Sequence, residues 1–169
     1  MTARNISITL ASLIAFSQFA SAESGTRETL KDIDHHAMVV ADEADELSLL
    51  SANTMYSADA HLHRLLTVKD EVNRMVSEIN RLEAERTTLA PWERQAVDKA
   101  LPLVNDAAVE AGKAIQYFDA NRSQLWTGEY REYASEIRKD SEQIAKTLRD
   151  YLKYERVSEE EQHLKHMLD

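Results

Sequence analysis

The sequence predicts an all-α fold: an antiparallel up-down-up-down four-helix bundle over residues 23–156, followed by a short C-terminal helical tail at 157–169. Three observations point to it. Apolar residues recur three and four positions apart along four stretches of similar length, the spacing of helices that pack on helices. The 169 residues contain only 3 Gly and 2 Pro, too few to punctuate a turn-rich β fold. No useful length of apolar-polar alternation, the mark of a half-buried strand, occurs in the chain.

The chain opens with a segment that reads as separate from the fold. Arg4 precedes the apolar run Ile6–Phe16, which is shorter than the ~20 residues of a spanning helix. Ala20-Ser21-Ala22 then supplies the small residues that precede a signal-peptidase cut. Residues 1–22 are therefore expected to be a secretory signal peptide. The mature chain would start at Glu23, reside in the periplasm or outside the cell, and keep no integral membrane segment. There is no Cys, so disulfides, thiolate metal sites, lipid attachment at cysteine and a cysteine nucleophile are excluded. Stability outside the cytoplasm must then come from packing alone.

The first helix is expected at about 26–52, with the seam Leu30, Ile33, Ala37, Val40, Ala44, Leu47 and Ser51. The second, at about 58–88, carries His61, Leu65, Val68, Val72, Met75, Ile79, Leu82, Arg86 and Leu89, with Ser57 placed to cap it. The third, at about 91–121, opens with Pro91 at its first position and Glu93 in its first turn, then runs Val97, Leu101, Val104, Ala108, Ala111, Ile115, Phe118. Pro102 lies inside it and is expected to bend it. Asn121–Gly128 reads as a turn. The fourth helix, at about 129–156, uses Tyr130, Ala134, Ile137, Ser141, Ile144, Leu148 and Tyr151. Ser158-Glu-Glu-Glu161 has the form of a capping box and could start a separate short helix reaching Met167. Helices of this length extend ~40–47 Å, and such matched rods joined by short turns pack antiparallel. A pair of long hairpins that dimerise satisfies the same periodicity, so monomer and homodimer both stay open.

Charge narrows the partners. The 30 acidic and 20 basic residues leave a formal charge of −10, which repels nucleic acid and anionic membrane surfaces. Loss of residues 1–22 removes one arginine and no acid, taking the formal charge from −10 to −11. No Gly-rich phosphate loop and no Gly-x-Ser-x-Gly elbow is present. Leu82-Glu-Ala-Glu-Arg-Thr-Thr-Leu-Ala-Pro-Trp-Glu93, Leu125-Trp126 and Tyr130-Arg-Glu-Tyr133 resemble stretches of exported bacterial helical proteins to which no activity is attached. The resemblance covers the second half of the chain and implies the fold alone.

Two groups of residues could carry chemistry. Six of the nine aromatics after the signal fall near the end where the first and third turns meet, together with His61 and Arg122. Tyr56, His61, Arg122, Trp126 and Tyr130 are expected to surround a shallow pocket there, with Arg122 facing an anion and the rings a flat or apolar group. Separately, His35 with His36 and His163 with His166 could each offer two imidazoles to a divalent ion, and antiparallel topology would bring both pairs toward one end. Only Glu160-Glu-Gln-His163 has the Glu-x-x-His spacing of di-iron bundles, which need two such motifs. No cofactor is expected, although a b-type haem would need only His or Met ligands. The sequence thus favours an exported, non-enzymatic module that binds an envelope protein or serves structurally. The alternative is a periplasmic carrier of a small ligand, metal or haem.

Overall fold

The computed structural model describes the backbone of residues 14–168 and the side chains of residues 25–168. Most of the expected signal peptide, residues 1–13, lies outside the described residues. Four helices account for the fold: α1 (Ile14–Ser51), α2 (Ala58–Ala84), α3 (Pro91–Ala120) and α4 (Gly128–Leu168). No strand occurs among the described residues. None of their helices is long and apolar enough to cross a membrane.

Side-chain pairs between helices run in opposite chain order. On α1 and α2, Thr29 meets Arg81, His36 meets Glu71, and Glu43 meets Arg64. On α1 and α4, Arg27 meets Glu155, Asp34 meets Arg149, and the Ser51 carbonyl accepts from Arg131. On α3 and α4, Tyr117 stacks on Tyr130 while Trp92 shares a cleft with Tyr154, so each helix is antiparallel to its chain neighbour, and α4 closes the ring against α1. That arrangement follows from short turns between rods that each bury one apolar stripe.

The seams of α1 and α2 are buried as the spacing predicts, from Leu30 to Ser51 and from His61 to Leu82. Ser57 caps α2 by accepting from the Ala60 N–H. At α3, Pro91 occupies the first turn and Glu93 Oε2 accepts from the Ala90 N–H at 2.8 Å, so the helix start is defined from both sides.

Four details differ from the sequence expectation. First, α2 stops at Ala84 rather than 88, because the chain turns through Glu85–Thr88 and Arg86 leaves the seam to pair with Glu83 and with Asp98 of α3. Second, the inner face of α3 is Ala96, Ala100, Ala107 and Ala114 alongside Val97, Val104, Ala111 and Phe118, whereas Leu101, Ala108 and Ile115 are only half-buried. Alanines let this helix approach its neighbours closely, and the larger side chains fill the edges of the contact instead. Third, α1 starts at Ile14 rather than at about 26, while α3, continuous as expected, carries Pro102 on its exposed side, where water can reach the carbonyl left without a donor. Fourth, there is no separate tail helix. α4 passes through Ser158 without a break to Leu168, since no Gly or Pro interrupts it and Arg156–Glu160 and Glu161–Lys165 pairs span the junction.

Candidate functional site

The end built from the α1–α2 and α3–α4 loops holds an aromatic cluster. His61 and Tyr130 stand in the opening turns of α2 and α4, both buried, with ring centroids 5.6 Å apart. Tyr117 stacks on Tyr130 at 5.7 Å and meets the edge of Tyr133 at 6.1 Å. The Tyr117 hydroxyl is 2.6 Å from the Thr127 hydroxyl, and that same Thr127 oxygen accepts from the Tyr130 N–H. Asn121 donates to the Tyr117 carbonyl and closes the end of α3. The loop is thereby tied to the rings it covers.

Two polar atoms in this cluster, His61 Nδ1 and Tyr130 Oη, are buried without a hydrogen-bond partner. Burial holds the His61 imidazole below its ordinary pKa and pushes the Tyr130 phenol above its own. Both groups are therefore uncharged at neutral pH. The cluster is an apolar plug with two polar atoms inside it, a costly arrangement in which each unpaired atom forfeits ~1–3 kcal/mol.

Of the five residues expected around a pocket, the fold joins only His61 and Tyr130 in contact. Tyr56 and Trp126 share that end but are 52% and 47% exposed. Arg122 lies on the surface, over the Phe118 ring at 5.1 Å and paired with Asp119 at 3.2 Å, so its charge is already engaged. Tyr117, Thr127 and Tyr133 are the contacts that sequence reasoning left out. Tyr117 was legible in principle, because it precedes the buried Phe118 by one residue and so flanks the same seam.

The histidine pairs are far apart. Asp34 is level with Arg149 on α4, so His163 and His166 lie roughly 20 Å further along the axis than His35 and His36 at 1.5 Å per residue. Antiparallel packing brings the starts of α1 and the end of α4 together, but His35 and His36 sit well inside α1. His35, His163 and His166 are exposed, while His36 is wedged between α1 and α2. Its Nδ1 is 2.5 Å from Glu71 and its Nε2 is 3.7 Å from Glu78. The two ring nitrogens of His36 thus face carboxylates of α2 rather than a second histidine. Among the described residues, no group of three or more His, Cys, Asp or Glu is placed to hold a metal ion.

The other end is braced by charge. Arg27 pairs with both Glu155 and Glu159, and Arg81 donates to the Thr29 hydroxyl at 2.7 Å. Glu155 is buried, and desolvation, with a further push from neighbouring Glu159, raises its pKa against the pull of Arg27. The hydrogen bond from Arg27 holds Glu159 below the usual carboxylate range. Here Pro91 and Trp92 of α3 face Tyr151 and Tyr154 of α4 across an open cleft of about 510 Å³.

Fold and site together define an acidic all-α bundle with a sealed core and two chemically different ends. The chain matches no protein-family model, and no curated protein or solved structure is significantly similar to it.

Proposed function

We propose that this protein is an exported, non-enzymatic interaction module of the cell envelope and that it recognises its partner with the loop end of the bundle. The observation that carries the reading is a local reversal of surface character. Although the chain has 30 acidic residues, the loops 52–57 and 121–127 hold none, and their one charge is Arg122. That end instead presents Met55 at 88% exposure and Leu49 at 59%, with Tyr56 and Trp126 beside them. Exposed aromatics and methionine are the residue types enriched in the contact surfaces of protein complexes. Folding gives no reason to leave four such side chains in water, because the plug beneath them is already complete.

Export is supported by the N-terminal pattern of Arg4, the Ile6–Phe16 run and Ala20-Ser21-Ala22. A binding role in place of catalysis is supported by the buried ionisable groups: Glu93 accepts from the Ala90 N–H, Glu155 pairs with Arg27, and His61 and Tyr130 are held uncharged. The test is site-specific photo-crosslinking in living cells. A photoreactive residue at Met55 or Trp126 should give a discrete adduct that the same residue at Glu132, on the outer face of α4, does not. Identical adduct patterns from all three positions, or none from any, would reject the loop end. Intact mass of the extracytoplasmic fraction should start at Glu23, and retention of residues 1–22 in a membrane pellet would reject export.

A further inference from the structure

At the opposite end, we infer that the cleft between the start of α3 and residues 150–158 of α4 binds a small organic ammonium ion. Three aromatic rings from two helices line it: Trp92 beside Pro91 on α3, with Tyr151 and Tyr154 one turn apart on α4. Trp92 and Tyr151 are packed against the core, so they are rigid walls. Tyr154 is 66% exposed at the rim, an exposure that packing does not explain. Asp150 is the one charged residue among the lining residues. Ring faces carry negative quadrupole potential, and several of them around one carboxylate form the kind of cage that holds a quaternary or alkylated ammonium group. The cleft, at about 510 Å³, is large enough to admit such a group. Overall charge acts in the same direction, since a chain at −10 concentrates cations and repels anions.

Among the described residues, Asp150 pairs with Lys146, one turn away at 3.3 Å, and both side chains are largely exposed. Such a surface pair is weak and readily exchanged. A neutral apolar guest would fit the rings equally well but would gain nothing from Asp150, and an anion would meet that carboxylate directly. The charge of the guest is therefore the point to test.

The experiment uses the full mature chain carrying Trp126→Phe, so that Trp92 is the only fluorescent indole. Titration with choline chloride should change Trp92 emission saturably. The uncharged carbon analogue 3,3-dimethylbutan-1-ol should bind at least ~10-fold more weakly, because it lacks the cation. Tyr154→Ala and Asp150→Asn should each weaken choline at least several-fold. Both residues are exposed, so unchanged helical circular dichroism and melting should accompany the loss. The inference is overturned by an absence of saturable response up to about 10 mM choline, by equal affinity for the neutral analogue, or by variants that bind as well as the parent.

Discussion

The two ends of the bundle solve the same closure problem with different chemistry. At the loop end, His61, Tyr117, Tyr130 and Tyr133 form a plug in which rings do the filling and two polar atoms remain unpaired. At the Pro91 end, Arg27, Glu155, Glu159 and Arg81 stitch the helices together through charge. Each choice leaves a different surface. The aromatic plug leaves its loops without acidic side chains and with Met55, Tyr56 and Trp126 exposed, whereas the charged brace leaves an aromatic cleft between the two helices it does not join. The difference also gives the ends opposite responses to pH. His61 has a lowered pKa when folded, so the unfolded chain takes up its proton first. Its contribution to stability is complete above the ordinary value of 6.5 and is lost as pH falls. Glu155 is raised above its ordinary 4.5 by burial, so its contribution is complete below that value and is lost as pH rises through the folded pKa.

The largest effects should come from the core that both ends share. Phe118→Ala, beneath the plug, should cost ~3–5 kcal/mol, and Ile79→Ala or Ile144→Ala ~2–5 kcal/mol each, measured by urea denaturation. A loss under 1 kcal/mol at Phe118 would mean that the aromatic end is loosely packed. Next comes the brace. Arg27→Ala strands the buried Glu155 carboxylate and should cost ~1–3 kcal/mol at neutral pH, a deficit that shrinks near pH 4 as Glu155 protonates. A pH-independent deficit would show that Arg27 acts through packing instead. Smaller again is the plug's polar defect. His61→Phe should raise stability at pH 7 by ~1 kcal/mol and flatten its decline on acidification below 6.5. Destabilisation by this substitution would reveal that His61 Nδ1 is hydrogen-bonded in the folded protein. Smallest, Glu132→Ala on the outer face of α4 should change stability by less than ~0.5 kcal/mol.

How much of this was legible in the sequence differs by region, and the reason is physical. The number of helices, the seams of α1 and α2, the Ser57 cap and the Pro91 start all follow from local rules. A 3.6-residue turn fixes which side chains share a stripe, and a cap is decided within four residues. Tertiary structure alone decided the rest. Whether α3 turns Ala100 or Leu101 inward depends on how near its neighbours lie, because one step rotates the face by about 100° and only the partner's surface chooses between them. Sequence likewise placed His61 and Arg122 at the same end, but could not say that His61 would be buried and Arg122 left on Phe118 in water. The cleft was the least legible feature, for its walls come from residues about sixty positions apart. Trp92 and Tyr154 line one cleft only because α3 and α4 are antiparallel, and Ser158 joins its lining because α4 continues past the point where a tail was expected to begin.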